Sequence, residues 1–69
     1  MKRYLFGLHY QQNNLQSATN YHEEMFECDA DAMQRAREIL REGKRDVNAY
    51  LVSVYGMRKG NWLNIVNYQ

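Results

Sequence analysis

The sequence predicts an α+β domain with the element order ββαββ. Two strand-like stretches open the chain, a run of apolar residues at helical spacing follows Asp29, and two β-forming runs separated by a glycine turn close it. If each strand pair forms an antiparallel hairpin and the helix reverses the chain, the first and third strands run in opposite directions and can pair. We therefore predict a four-stranded antiparallel sheet of order 2-1-3-4, with one helix on one face and a right-handed crossover.

Length and composition limit the chain to one small domain, residues 1–69. Hydrophobic residues make up 45% and charged residues 25%, which is typical of a globular protein. No window reaches the roughly 18 apolar residues of a membrane span, and the N-terminus lacks the pattern of a secretory signal. The single cysteine, Cys28, excludes an internal disulfide and suits a reducing compartment, so we expect a cytosolic protein.

The first hairpin is predicted from Arg3–Gln12 and Ala18–Cys28, joined by the polar loop Gln11–Ser17. Within the loop, Asn13–Asn14 can adopt the left-handed conformation. Gly7 lowers strand stability and indicates a bulge or a close approach to the backbone. The second strand carries three glutamates, which indicates an edge strand, because charge discourages pairing with other chains.

The helix is predicted from Asp29 to Glu42. Asp29 is a good N-cap, and an acidic first turn favours the positive end of the helix dipole. One apolar stripe recurs at helical spacing. Its members are Ala32, Ala36, Ile39 and Leu40. Gly43 is predicted to end the helix as its C′ residue.

The stretch Asn48–Arg58 is the densest β-forming run of the chain, and it is apolar on both faces at period two. Such a strand lies in the middle of a sheet with cover on each side. A short turn, Arg58–Asn61, follows, with Gly60 supplying a positive φ. The last strand is predicted at Trp62–Tyr68.

Only one cover for this sheet can be found in the sequence. The face under the helix is predicted to carry Tyr4, Phe6, Leu8, Phe26, Cys28, Val52, Val54, Leu63 and Ile65. The other face then carries Leu5, His9, Tyr21, Met25, Leu51, Tyr55, Met57, Trp62, Val66 and Tyr68. This face is too apolar for contact with water alone, so we interpret it as a binding surface. The alternative is an error of phase in one strand, or a loop or terminus that folds over it.

Three chemistries are open to such a surface: nucleic-acid binding, metal binding and catalysis. Aromatic residues on an open sheet can stack nucleobases, but the net charge is only +1 and the predicted face carries almost no Lys or Arg. His9, His22, Cys28 and Asp29 show no paired metal-ligand spacing, and Cys28 is expected to be a buried structural residue. No nucleophile with its base and no phosphate-binding glycine loop is visible. We therefore expect no metal, no cofactor and no catalysis.

The leading hypothesis is a non-enzymatic protein-binding module. Amide and tyrosine side chains, which are abundant here, are common where proteins recognise proteins. We predict partner-binding residues at Tyr55, Trp62, Tyr21, Met57 and Tyr68, and in the acidic run at Glu23, Glu24 and Glu27. Edge protection and helix capping also explain that acidic run; the alternative is a negative patch for a basic partner. A small RNA- or DNA-binding protein and a homodimer joined by the open face stay as competing hypotheses.

The C-terminal segment adds a resemblance. A chain of this size with a sheet–helix–sheet plan, closing in Gly60-Asn61-Trp62-Leu63, resembles small phage-encoded inhibitors of host defence, in particular anti-CRISPR proteins. The resemblance covers the overall plan and those four residues. It implies stoichiometric binding to a host nuclease complex in the host cytosol, without catalysis, and it implies no particular site residue.

Overall fold

The computed structural model of the chain describes residues 1–12 and 16–69. Its elements are β1 (Lys2–Gln12), β2 (Gln16–Phe26), α1 (Asp29–Asp46), β3 (Ala49–Arg58) and β4 (Asn61–Tyr68). The strands form one antiparallel sheet in the order β2-β1-β3-β4, and α1 packs on one side of it. The predicted element order, the antiparallel sheet of order 2-1-3-4 and the helix on one face are confirmed. Both strands of the first hairpin extend into the predicted loop, β1 to Gln12 and β2 from Gln16. The prediction for Asn13–Asn14 lies outside the described residues.

The core lies between α1 and the two central strands. The helix buries Ala32, Ala36, Leu40 and Gly43, which share one face because they are four, four and three residues apart. Opposite them lie the largest fully buried side chains, and these belong to β1 and β3: Tyr4, Phe6, Val52 and Val54. The small helix residues let the backbone of α1 approach the sheet, so the large side chains of the strands fill the core.

Gly43 does not end the helix, as the sequence predicted, because α1 continues to Asp46. A Cβ at Gly43 would lie 2.9 Å from the Cβ of Ala49 and 2.9 Å from Cδ1 of Leu8. This glycine is therefore required by close packing on the sheet. The left-handed residue after the helix is instead Asn48, with a φ of 57°.

The N-terminus of α1 also differs from the prediction. Cys28 is the N-cap residue and is exposed, so the expected buried cysteine is wrong. Asp29 is the first helical residue, and its carboxylate turns to the sheet. Tyr4 Oη donates to Asp29 Oδ1 at 2.5 Å, and Arg58 Nη2 donates to both carboxylate oxygens at 3.2 Å. Asp29 therefore makes tertiary contacts, and Cys28 makes no side-chain capping hydrogen bond.

A β-bulge in β4 changes which side chains face the helix. The β3–β4 register shifts between Val54 and Tyr55, so that Val66 lies opposite Val54 and Tyr68 opposite Val52. Val66 and Tyr68 therefore pack against the core, and their predicted place on the uncovered face is wrong. The period-two interpretation failed because one extra residue moves the rest of the strand to the other side of the sheet.

The β3–β4 turn is confirmed. Lys59 and Gly60 have φ angles of 51° and 80°, the pair of positive values that a two-residue type I′ hairpin needs. Leu63, which follows this turn, lies opposite Gly56 on the helix side as predicted, yet it is 58% exposed. The helix lies chiefly over β3, so it does not cover this part of the edge strand.

A matched pair of carboxylate substitutions tests the helix face. Ala36 is fully buried and Gln34 is exposed on the same helix. Ala36→Asp places an unpaired carboxylate in the core and should lower the free energy of unfolding by roughly 3 kcal/mol or more. Gln34→Asp should change it by less than about 1 kcal/mol. Equal shifts of the thermal midpoint in the two variants would contradict this helix face.

The contacts of Asp29 give a dependence of stability on pH. The hydrogen bond from Tyr4, followed by that from Arg58, holds the pKa of Asp29 below its usual value. A pKa that is lower in the folded state adds stability above the unfolded value of about 3.9, and this stability is lost as the pH falls through the folded pKa. Asp29→Asn should therefore lose less stability than the wild type between about pH 5 and pH 2.

Thermal melting over this pH range measures the effect. Asp31→Asn is the control, because it removes an exposed carboxylate from the same helical turn. If Asp29→Asn and the wild type lose stability in parallel on acidification, the carboxylate of Asp29 does not contribute as its contacts indicate.

Candidate functional site

The side of the sheet opposite α1, here called the open face, follows from the strand register. It carries Arg3, Leu5, Gly7 and His9 from β1, Thr19, Tyr21, Glu23 and Met25 from β2, Leu51, Ser53, Tyr55 and Met57 from β3, and Trp62, Asn64 and Asn67 from β4. Among the described residues, no helix or strand packs over this side. The surface is therefore contiguous across all four strands, and most of its large side chains are apolar or aromatic.

The two charges of the open face neutralise each other. Arg3 Nε and Nη2 each donate to a carboxylate oxygen of Glu23 at 3.0 Å. The guanidinium of Arg3 also lies over the Trp62 ring, 5.3 Å from its centroid. The hydrogen bond from Arg3 lowers the pKa of the Glu23 carboxyl below its usual value. Arg3 thus orients both an acidic and an aromatic side chain, and little net charge remains for a partner.

The ring of Tyr21 lies close to the backbone of β1 at Gly7. A Cβ at Gly7 would lie 3.1 Å from Cε1 of Tyr21, so the glycine makes room for the tyrosine ring against the backbone. This confirms the predicted close approach at Gly7. Tyr21 and Met25 are nevertheless 62% and 52% exposed. Large apolar side chains that stay accessible on a rigid sheet are suited to contact with another surface.

A track of polar side chains crosses the open face. His9 Nδ1 lies 2.9 Å from Thr19 Oγ1, and His9 Nε2 lies 3.2 Å from Ser53 Oγ. Ser53 is opposite Asn67 on β4, where the Asn64 side chain donates to Asn67 Oδ1 at 3.1 Å and to the carbonyl oxygen of Val54 at 3.0 Å. The bond from Asn64 to Val54 supplies a donor for a carbonyl oxygen of the main chain beside the bulge. The track divides the apolar surface and gives it fixed polar positions.

Ser53 and His9 form a contact that the sequence did not reveal, since they are far apart in the chain. A serine hydroxyl bonded to an imidazole, which in turn bonds Thr19, resembles the order of nucleophile, base and orienting group. A nucleophile must reach its substrate, however, and Ser53 is only 5% exposed. The contact satisfies a buried hydroxyl at the centre of the sheet. The signal that could have found it is the shared face of β1 and β3, once their register is known.

The predicted partner-binding residues separate into two groups. Those on the open face are Tyr21, Glu23, Tyr55, Met57 and Trp62. Glu24 and Tyr68 lie on the helix side, and Glu27 is exposed between β2 and α1. The acidic run therefore does not form one patch, because successive strand residues point to opposite sides of the sheet.

Glu24 is held by basic residues of its own chain. Arg35 Nε donates to Glu24 Oε2 at 2.9 Å, and His22 Nε2 lies 2.8 Å from the same oxygen. Burial works to raise the pKa of Glu24, but the hydrogen bonds from Arg35 and His22 outweigh it, so the pKa lies below its usual value. This carboxylate ties the edge strand β2 to the helix.

A concave feature, here called the β4 groove, lies between the second half of α1 and the end of β4. It has a volume of about 320 Å³ and is lined by Arg37, Leu40, Arg41, Lys44, Tyr68 and Gln69. Arg37 is fixed in place, because it donates to Tyr68 Oη at 3.1 Å and lies 5.5 Å from the centroid of that ring. Sequence reasoning missed this groove, because the bulge had to place Tyr68 on the helix side first.

Within the part of the chain that the structure describes, no group of three or more His, Cys, Asp or Glu residues is arranged to hold a metal ion. In residues 1–12 and 16–69, no helix is long and apolar enough to cross a membrane.

Comparison with known proteins adds no relative. No protein family, no curated protein and no solved structure matches the chain. Its class is therefore defined by its own geometry: a small α+β domain in which one helix covers one side of a four-stranded antiparallel sheet.

Proposed function

We propose that this protein is a non-enzymatic protein-binding module that contacts its partner through the open face. The observation that carries the proposal is the composition of that face. Tyr21, Tyr55 and Trp62 lie among aliphatic side chains and amides. Among the described residues of this face, Arg3 and Glu23 are the two charged side chains, and they are bonded to each other. Aromatic anchors, scarce net charge and adaptable amides are the composition of the centre of a protein interface.

The size of the surface fits this function. A rectangle with the two longer dimensions of the molecule, 38 and 21 Å, covers about 800 Å². Each partner in a standard protein–protein interface contributes roughly that area. The open face is one whole side of the molecule, so it can supply a complete interface without help from the helix side.

The charges argue against nucleic acid as the main partner of this face. Phosphate contacts dominate the affinity of nucleic-acid-binding proteins, and they require free Lys or Arg side chains. The one guanidinium of the open face is committed to Glu23 and Trp62. Stacking of bases on the aromatic rings would therefore lack the electrostatic contribution that normally accompanies it.

The partner that we propose is a host nuclease complex of the CRISPR type, bound stoichiometrically in the cytosol. The support for this finer proposal is the resemblance of size, plan and the Gly60–Leu63 segment to phage-encoded inhibitors. The open face adds a surface of suitable size. Purified CRISPR nuclease complexes are accordingly the first partners to test.

Alanine substitutions on the open face test its role in recognition. Tyr55 and Trp62 come from the neighbouring strands β3 and β4, and both are partly exposed. Tyr55→Ala and Trp62→Ala should each weaken binding to a purified complex by about 2 kcal/mol or more, which is roughly 30-fold. Isothermal titration measures the affinity, and thermal melting measures the stability, which should fall much less.

Val47→Ala is the control for this experiment. It removes a 40% exposed apolar side chain that follows α1 and lies outside the strands of the sheet. Its affinity for the partner should equal that of the wild type. Folded Tyr55→Ala and Trp62→Ala variants with unchanged affinity would show that the open face is not the site. A large loss of thermal stability in both variants would show that the two side chains are core residues.

Nucleic-acid binding is the second test. We expect only weak binding to unrelated RNA or DNA oligonucleotides, with a strong decrease as salt is added, because the net charge is only +1. Fluorescence anisotropy at physiological salt measures it. Sub-micromolar binding of an arbitrary sequence would favour the competing hypothesis of a nucleic-acid-binding sheet.

A further inference from the structure

The two edges of the sheet differ in their protection against pairing. β2 carries a histidine and two glutamates, His22 to Glu24, in its second half. β4 contains no charged residue and no proline along its whole length, Asn61–Tyr68. Natural edge strands prevent pairing with charge, proline or a bulge, and β4 has only the bulge, so its side chains do not oppose pairing with another strand. The exposed Leu63 lies on this edge.

The side chains of β4 repeat in reverse about a point between Ile65 and Val66. The sequence LNIVNY reads apolar, amide, apolar in both directions from that point. Because of the bulge, the side of the sheet to which each residue points also repeats in reverse about that point. Asn64 and Asn67 lie on the open face, opposite Tyr55 and Ser53. Leu63, Val66 and Tyr68 lie on the helix side, and so does Ile65, whose Cδ1 is 2.8 Å from the Cβ position of Gly56.

This symmetry fits a second copy of the same strand. We propose that the protein forms a two-fold symmetric dimer in which β4 pairs antiparallel with β4 of a second copy, about an axis between Ile65 and Val66. Ile65 then lies opposite Val66 of the second copy, Asn64 opposite its Asn67, and Leu63 opposite its Tyr68. Every pair joins like chemistry on the same side of the sheet, as an isologous contact requires.

In this dimer, the exposed Leu63 of each copy can pack into the β4 groove of the other copy. The pairing sets Leu63 of the second copy opposite Tyr68, and Tyr68 with Leu40 provides the apolar part of that groove. The volume of about 320 Å³ can take a leucine side chain. The three basic side chains of the lining, Arg37, Arg41 and Lys44, have long apolar stems that can cover it. Two such contacts form per dimer, related by the two-fold axis.

The dimer leaves the open face free and extends it over eight strands. It does not depend on the proposed function, because it involves the edge of the sheet and is measured without a partner. An interface of about six residues per strand lies at the small end of specific interfaces, so we expect dissociation in the micromolar range.

Sedimentation equilibrium of the intact chain, from about 1 µM to about 1 mM, tests the dimer. The wild type should pass from the mass of a monomer, 8.3 kDa, to twice that mass. Leu63→Lys puts a charge on the edge and should raise the dissociation constant at least about tenfold. Met25→Lys is the matched control, because Met25 is a similarly exposed apolar residue on the other edge strand, 52% against 58%. It should leave the dimer unchanged.

Hydrogen exchange provides a direct measurement that does not depend on the variants. Amides of β4 should become more protected as the concentration rises, whereas amides of β2 should not. A monomer over the whole concentration range would overturn the proposal. So would a dimer that Leu63→Lys leaves intact while Tyr55→Ala dissolves it, because the contact would then lie on the open face. Protection that rises in β2 instead would assign the contact to the other edge.

Discussion

The close contact between α1 and the two central strands is the constraint on which the rest of the structure depends. Small residues of the helix, Ala32, Ala36 and Gly43, lie directly on the sheet, and the strands supply the volume of the core. The helix lies chiefly over β3, so the outer part of β4 stays uncovered. In the part of the chain that the structure describes, no second helix packs on the other side of the sheet. The surfaces proposed for binding are a consequence of how the core is packed.

The two sides of the sheet use their polar groups differently. On the helix side, carboxylates tie elements together: Asp29 joins α1 to Tyr4 and Arg58, and Glu24 joins β2 to Arg35. Burial and the Asp29 contact raise the pKa of Tyr4 to about 12. On the open face the polar track links hydroxyl, imidazole and amide groups, and the single ion pair is internal. Stability depends on the first set, and the second leaves a surface of low net charge.

The bulge at Ile65 affects both proposed binding surfaces, the open face and the β4 edge. It moves Val66 and Tyr68 into the core, which removes two apolar residues from the open face and completes the β4 groove. Because of the bulge, residues at equal distances from the point between Ile65 and Val66 also lie on the same side of the sheet, so a second copy of the strand can pair with β4. Bulges often protect an edge strand by increasing its twist, but they also change the side of the sheet to which side chains point. In β4, this second effect decides which side chains a neighbouring strand would meet.

The sequence by itself determined the element order, the antiparallel sheet of order 2-1-3-4 and the existence of an uncovered apolar face. Alternation in the strands, the stripe on the helix and the turn at Gly60 are local signals, and each was sufficient for its element. Tyr21, Tyr55, Met57 and Trp62 were accordingly placed on the correct side of the sheet. Only the tertiary structure decided the phase of β4 beyond the bulge, the packing role of Gly43 and the exposure of Cys28. These depend on how closely distant segments approach, and a pattern read along one strand or helix holds no information about that distance.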